Sequence, residues 1–467
     1  MNILLATSFF PPTHTGGTEN YTLAIARGLL AAGHRVQVIC VGRWAEGDHY
    51  WNGFTDEIYN DVPVRRLHLN WEKAPNPNRY LYDNPIAATQ VSDYLHQIQP
   101  EVVHITSCNT LTASVIRSVK NAGLPVVLTL TDFWFVCPRL TLLRSDGTIC
   151  NGQVTASDCH ECMLNSGRLY RSAKQVLPRT LARHLFTTFS RFSLLSRQRG
   201  LRGFALNMSE RRSMLPAMLN QVDYIISPSR FLANMFATTG QSCAIHILPH
   251  GNDLSWLANY CHHDVSSPLR IGYMGQILPI KGVHVLIEAF RELADHPEIQ
   301  LSIFGPLDPH SSYGQHLQNM AAGDSRIRFG GRFGRESLGS ILADLDVLVF
   351  PSLWYENNPL VIQEAFAAQV PVVASNLGAI PEHIQAEING LLFEPGNAKD
   401  LARVLRRILV EPGIIEQLRK GIPQVNRIET EVVELCQIYE QFVKSNNTLP
   451  AEFPQDTQVL TQQQIIC

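Results

Sequence analysis

The sequence predicts an α/β chain built from two doubly wound parallel sheets. Three observations carry that expectation. Short apolar runs alternate with segments of helical periodicity, the pattern of parallel βαβ units. The alternation lapses near residue 255 and restarts at Leu269. Glycine-containing loops follow several of the apolar runs, on the strand edge where such sheets bind ligands.

The elements follow in order. Residues 2–6 form an apolar strand, and the loop PPTHTGGTEN leads into an amphipathic helix over about 18–32 that Gly33 ends. A second strand spans 36–41, and later apolar runs at 102–105, 126–130 and 224–227 complete the first half. The stretch HILPHGNDLSWLANYCHHDVSSP is rich in turn formers and poor in periodicity, as a connector between domains should be. The second half places strands at 270–274, 301–304, 327–329, 347–350 and 372–374, with a helix over 283–294. Beyond Ser445 the composition turns to Asn, Thr, Pro and Gln, the signature of a disordered tail. The expected boundaries are therefore 1–255, 256–445 and a tail over 446–467, leaving open that the last helix of the second domain packs back on the first.

Composition sets outer limits. A chain of 467 residues is too long for one core. With 45% hydrophobic and 17% charged residues both domains can be globular, and a net charge of −3 gives no basis for a nucleic-acid partner. No uninterrupted apolar run reaches the roughly eighteen residues of a membrane span. The start MNILLATSFF lacks a basic region and reads as a strand rather than a signal peptide, so the expected location is cytoplasmic.

The segment FPSLWYENNPLVIQEAFAA, residues 350–368, is the densest in chemistry. Glu356 falls in a polar loop after an apolar strand, Pro359 suits the first position of a helix, and Glu364 lies near that helix's second turn. Carboxylates accept sugar hydroxyls, and free N–H groups at a helix start accept phosphate oxygens. Such a pair fits a polyhydroxylated, phosphorylated ligand; two solvated surface acids are the alternative. Three loops add to it. Gly16 and Gly17 sit between the first strand and first helix, Gly275 ends the strand IGYMG with Lys281 and Gly282 beyond it, and Gly305 ends another strand in FGPLDP. Lys281 can meet a phosphate as a point charge. The dinucleotide fingerprint is absent and no acid ends the second strand, which argues against a nicotinamide cofactor.

Taken together, PPTHTGGTEN, IGYMGQILPIKG, ILPHGND, FPSLWYENNPLVIQEAFAAQVPVVASNLGAIPEHI and NGLLFEPGNAKDLA resemble a retaining glycosyltransferase of the GT-B fold, in the large group 1 or family-four type. The resemblance runs to about Val443. It implies two Rossmann-like domains facing across a cleft that closes on its ligands. It implies transfer of a hexose-type sugar from a nucleotide diphosphate sugar to a saccharide or lipid-linked acceptor, with front-face attack and retention at the anomeric carbon. No cofactor is implied for the transfer itself. By the same resemblance Gly16 and Gly17 face the diphosphate or acceptor, Lys281 neutralises the diphosphate, Glu356 faces the donor sugar's hydroxyls and Glu364 holds the ribose. Asn357, Asn358 and Leu360 offer backbone N–H groups to the phosphates. Gln276 stands where the family often has an arginine, so more of the charge contact falls to Lys281. Where family members often carry a histidine, the segment VVLTLTDFW has Thr131 followed by Asp132, which is expected to orient the acceptor hydroxyl or accept its proton, or else to cap a turn. His104 ends a neighbouring strand and is expected to be structural.

Two features fall outside that resemblance. Cys137, Cys150, Cys159 and Cys162 form a cluster ending in C-x-x-C, open to a structural zinc, two disulfides or four free thiols, with His160 as a substitute ligand. The stretch 164–215 is strongly basic, with Leu177, Leu181, Leu185, Phe189, Phe192 and Leu195 at helical spacing. It reads either as a peripheral contact with an anionic membrane surface or as helices packed on the first sheet with solvated arginines. A nucleotide-sugar epimerase of similar fold and a non-catalytic sugar-nucleotide binding protein are the alternative functions.

Overall fold

The computed structural model describes residues 1–189, 208–237, 243–260, 268–445 and 459–460. The chain separates into two compact units. One comprises Met1–Pro249 with the chain from Glu429; the other is His250–Ile428.

In the first unit the strands are β1 (Asn2–Ala6), β2 (Arg35–Arg43), β3 (Trp51–Tyr59), β4 (Val62–Leu69), β5 (Val102–Ile105), β6 (Val126–Thr129), β7 (Tyr224–Ser227) and β8 (Ile245–Ile247). They lie side by side in the order β8-β7-β6-β5-β1-β2-β4-β3. All neighbours are parallel except β3, which runs antiparallel to β4 at the edge. Every residue of β5, β6 and β7 is buried, which is why these strands read as unbroken apolar runs rather than alternating ones. The strand order reverses beside β1, so the loops after β1 and β5 open next to one another.

The second unit holds β9 (Leu269–Met274), β10 (Ile299–Phe304), β11 (Ile327–Gly331), β12 (Val347–Phe350), β13 (Val372–Ser375) and β14 (Gly390–Phe393). All are parallel, in the order β11-β10-β9-β12-β13-β14. The reversal falls between β9 and β12. Two apolar clusters, one around Phe290, Leu301 and Leu405 and one around Phe350, Ile362 and Phe366, form the packed core of this unit.

The helix Ile428–Ser445 leaves the second unit and packs in the first. There the Tyr439 hydroxyl lies 2.6 Å from His104 Nδ1, and the Tyr21 hydroxyl donates to Glu431 Oε1 at 2.5 Å. Both contacts are buried, so the helix is tied to the sheet by polar groups that burial makes expensive to leave unpaired.

The hairpin of β3 and β4 and the strand β14 have no counterpart in the sequence expectation. Within the basic stretch, the helices are Arg168–Val176, Arg179–Phe189 and Met208–Leu219, the first two parted at Pro178; Arg191, Phe192, Leu195, Arg197, Arg199 and Arg202 lie outside the described residues. So does the tail expected over 446–467, except that Val459–Leu460, β15, pair antiparallel with β8. No described helix is long and apolar enough to cross a membrane.

Candidate active site

The loops that leave β9 and β12 meet at the switch point of the second sheet. After β9 the chain passes Gly275 and an exposed Gln276, turns through Pro279–Lys281 and enters the helix Val283–Arg291 at Gly282. After β12 it runs through Pro351 and Ser352 to Asn358, and the helix Leu360–Ala367 follows. The two loops are locked together. Leu353 N–H donates to the Ile280 carbonyl at 2.8 Å, and Gly282 has φ +73° with the Pro351 carbonyl oxygen 1.9 Å from where a Cβ would stand. Only glycine meets both conditions.

That lock sets Lys281 against Glu356. The Glu356 carboxylate is 8% exposed, and its Oε1 accepts from Lys281 Nζ at 2.7 Å, Trp354 Nε1 at 2.7 Å and Ser352 Oγ at 2.8 Å. Oε2 takes none of these three bonds. Lys281 Nζ also stands 4.9 Å from the Trp354 ring centroid, a cation–π contact. A charge-assisted bond with two neutral donors fixes one carboxylate oxygen and holds the ammonium in a partly covered position.

Glu364 lies one helical stretch further on, in a separate network. Its Oε1 is 3.2 Å from Arg335 Nη1, and the Arg335 guanidinium also donates to the Asp253 carbonyl at 2.5 Å. Burial pushes the Glu364 carboxyl above the usual carboxylate range, and the Arg335 charge pulls it back. Between the two acids, Asn252 Nδ2 donates to Gln363 Oε1 at 2.5 Å and Gln363 Nε2 donates to Asn358 Oδ1 at 2.7 Å. Pro359 caps the helix with no side-chain hydrogen bond; Ile362 N–H donates to its carbonyl at 3.1 Å, and the N–H groups of Leu360 and Val361 have no intrahelical acceptor. Gly305 belongs to the same edge: a Cβ there would come within 2.0 Å of the Gly275 carbonyl oxygen. The second unit thus brings together Gly275, Lys281, Gly305, Asn357, Asn358, Leu360, Glu356 and Glu364 around adjoining loop ends.

The first unit gathers a second set at the ends of β1, β5 and β6. Gly16 caps the helix Gly17–Ala31 without a side-chain bond, and a Cβ on Gly16 would stand 2.5 Å from Glu19 Oε2, while one on Gly17 would meet nothing within 4 Å. Ser8 Oγ and Ser107 Oγ lie 2.7 Å apart across the switch point. Asp132 Oδ1 accepts the Trp134 N–H at 2.8 Å, a turn cap, and the side chain borders a small cavity with Thr106, Ser107, Cys108, Thr131 and Phe135. Burial raises the Asp132 carboxyl to about 6, helped by the nearby Glu19 and opposed by the Trp134 N–H. A carboxyl poised there can exchange a proton near neutrality. His104 has no exposure; Tyr439 and Thr129 occupy its two ring nitrogens at 2.6 and 2.7 Å, the structural role expected.

Comparison with known proteins decides the family. The profile of the glycosyl transferase 4-like domain matches residues 16–249, half of the chain, and that of glycosyl transferases group 1 matches residues 268–411. The chain belongs to the group 1 glycosyltransferase family. Among its relatives, the D-inositol 3-phosphate glycosyltransferase of Corynebacterium jeikeium is 29% identical over 187 residues, which are 36% of this chain and 44% of that protein. The MMP alpha-(1->4)-mannosyltransferase of Mycolicibacterium hassiacum is 27% identical over 171 residues, 36% of this chain and 41% of that one. The chain spans about two fifths of the length of the curated relatives it matches. Solved structures show the same fold. Sucrose-phosphate synthase from Thermosynechococcus elongatus superposes with TM-score 0.63 at 18% identity, covering 95% of this chain and all of that one. Anabaena Alr3699/HepE in complex with UDP and glucose gives 0.61 at 15%, covering 94% and 99%. The two sheets of the chain are therefore the two Rossmann-like units of a GT-B fold.

The cysteine cluster lies in the first unit, where Cys159 stands within electrostatic reach of Cys137 and Cys150. Cys137, Cys150, Cys159 and Cys162 are all free thiols, and among the described residues no three His, Cys, Asp or Glu side chains are grouped to hold a metal. Two arginines share the neighbourhood. Arg212 Nη1 is 3.6 Å from Cys159 Sγ, and the buried Arg211 donates to the Trp134 carbonyl next to Cys137 and Cys159. Burial pushes both of those thiols up, and the nearby arginines pull them back.

Five residues in contact with these groups escaped the sequence reading: Ser352, Trp354, Arg335, Asn252 and Gln363. Ser352 and Trp354 sit four and two residues before Glu356, where no periodic signal exists to rank them. Asn252 lies in the ILPHGND segment quoted for its resemblance to the family, and that was its available signal. Ser352, Trp354 and Gln363 had the same signal in FPSLWYENNPLVIQEAFAA, and Arg335 had none.

Proposed function

We propose that this glycosyltransferase moves a hexose-type sugar from a nucleoside diphosphate sugar to a saccharide or lipid-linked acceptor with retention of anomeric configuration. The observation that carries the reading is the Lys281–Glu356 pair, held at 2.7 Å on the two loops of the switch point beside an uncapped helix start. Breaking the bond from sugar C1 to the diphosphate builds negative charge on the leaving oxygen and positive charge on the ring. Lys281 and the N–H groups at Leu360 are the fixed donors for the first, and donors aimed at developing charge supply a large share of enzymatic rate. The carboxylate of Glu356 answers the second and accepts sugar hydroxyls. Glu364, whose charged form Arg335 favours against the effect of burial, accepts from the ribose hydroxyls. Asp132 on the first unit is the group we assign to the acceptor hydroxyl, oriented by its bond to the Trp134 N–H. In a front-face reaction the acceptor oxygen forms the new bond to C1 on the side from which the diphosphate departs, and its proton passes to the leaving phosphate oxygen. The Anabaena structure carries UDP and glucose, which makes uridine diphosphate sugars the first donors to screen.

The test is a thermal-shift screen against nucleoside diphosphates and their sugars, because a ligand that binds the native state alone raises its stability by mass action. Product analysis with the donor so found follows, with an acceptor panel. Transfer of the sugar with its anomeric configuration kept supports the proposal. An isomerised nucleotide sugar as the product would assign the site to an epimerase instead, and binding without turnover would make it a binding module.

A further inference from the structure

We infer that the helices Arg168–Val176 and Arg179–Phe189 form a docking surface for an anionic phospholipid bilayer. Among the described residues ten large hydrophobic side chains are exposed, and four of them, Leu169 (65%), Val176 (84%), Leu181 (45%) and Leu185 (37%), fall on these two helices. Single exposed aliphatics are ordinary on a soluble surface; such a concentration marks an interaction site.

The spacing shows that each helix presents a stripe. Leu169 and Val176 are seven residues apart, and Leu181 and Leu185 four, so each pair shares one helical face. The inward faces are already satisfied. Tyr170 and Ala182 are fully buried with Leu164, and Phe186 packs edge-on against the Tyr170 ring at 5.2 Å. The outward stripes are therefore not core residues awaiting a partner within this cluster.

Charge selects the occupant. Between Gly167 and Phe189 the chain has five Arg and Lys residues and no Asp or Glu. Two of the five are spent internally: Arg179 pairs with Glu161 at 2.6 Å and Arg183 reaches Asp158 at 3.5 Å. Arg168 and Arg171 are exposed, and Lys174 lies over the Tyr170 ring at 5.4 Å. Aliphatic stripes flanked by unpaired basic side chains match the two layers of a lipid interface. The aliphatics enter the acyl boundary while the cations meet headgroup phosphates. A mixed-charge protein surface would call for acids here as well, and this segment has none.

The inference goes beyond the transfer reaction and does not rest on it, since its test reads binding alone. The full chain is sedimented with vesicles of phosphatidylcholine and with vesicles of phosphatidylcholine mixed with phosphatidylglycerol, at low and high salt. Binding to the mixed vesicles only, reduced by salt, is the expected result. Arg168→Glu and Arg171→Glu should each lower the partition coefficient at least about five-fold, since one basic residue near such a surface contributes roughly that factor. Leu169→Ser with Val176→Ser should lower it about ten-fold or more, from the apolar area no longer buried. All four positions are exposed, so thermal melting should be unchanged, and melting checks that each variant is folded. Equal binding to neutral and anionic vesicles, or binding indifferent to these substitutions, would overturn the inference. Binding to neither would overturn it too and leave the surface to an acidic protein partner.

Discussion

Gly282→Ala is the sharpest probe of how the site is built. Two separate costs attach to it. The residue has φ +73°, and an L side chain in the left-handed region costs about 1–2 kcal/mol. A Cβ would also stand 1.9 Å from the Pro351 carbonyl oxygen, so one of the two loops must move, and overpacking of that kind adds about 1–3 kcal/mol. Gly331 separates the two. It has φ +76° at the end of β11, and a Cβ there meets nothing within 4 Å. Gly331→Ala should therefore lose only the backbone part, about 1–2 kcal/mol, and Gly282→Ala about 2–5 kcal/mol. The functional contrast is larger. Moving Pro351 and Ser352 away from Ile280 and Lys281 pulls apart the 2.7 Å contact between Lys281 and Glu356. Loss of one charged contact to a diphosphate should weaken donor binding at least about ten-fold, or about 1.4 kcal/mol. Denaturant unfolding gives the stabilities, and calorimetric titration with the donor gives the affinities. Equal destabilisation of the two variants, or wild-type donor affinity in Gly282→Ala, would show that the loop lock does not set the site.

Four further outcomes are expected. Glu356→Ala should lower sugar transfer by about a hundred-fold or more while the melting temperature falls by only a few degrees; wild-type turnover at equal folded fraction would remove Glu356 from the site. Arg335→Ala should raise the Glu364 carboxyl further, because the cation that holds it down is gone. The ribose role proposed for Glu364 uses its carboxylate, so nucleotide affinity measured against pH should be lost on acidification at a higher pH in the variant, and an unshifted curve would dismiss the role. Burial raises the Asp132 carboxyl to about 6, and the role proposed for it uses the ionised form, so kcat/KM should rise with pH through about 6 and level off, and Asp132→Asn should abolish that limb. Tyr439→Phe removes a buried 2.6 Å contact to His104, which should cost about 1–3 kcal/mol in unfolding with kcat unchanged.

The expectations from sequence held where burial alone writes the pattern. Val347–Phe350 is buried at every position and was legible to the residue, since a parallel strand covered on both faces has nothing polar to accommodate. The hairpin of β3 and β4 was illegible for the opposite reason. β4 reads VPVRRLHL, and two adjacent arginines argue against a buried strand until their partners are known. Those partners are on β3: Arg65 meets Asp56 at 2.6 Å and Arg66 meets Glu57 at 2.7 Å, so the charges that disqualify each strand alone qualify the pair. The strand β14 begins with Gly390 and follows Asn389, and glycine and asparagine read as turn formers rather than as a strand start.

The candidate site divides in the same way. Glu356 and Glu364 are eight residues apart, and the resemblance of their segment to the family singled both out. What their environments do to them was not in that spacing. Glu356 receives a lysine from 75 residues upstream because β9 and β12 are sheet neighbours, and Glu364 receives an arginine from 29 residues upstream, in the segment that leads into the helix before β12. Chain separation says nothing of either contact; strand order dictates the first. The order β11-β10-β9-β12-β13-β14 makes the loops after β9 and β12 adjacent, and of the loops after the six strands in this unit, these two carry Lys281 and Glu356. Had β12 been placed at the sheet edge with the same residues, the two groups would be several strand spacings of about 4.8 Å apart and could not share a hydrogen bond. The chemistry is therefore a property of topology acting on a handful of loop residues, and a change that leaves every functional side chain in place but shifts a loop, as Gly282→Ala does, should cost as much as deleting one of them.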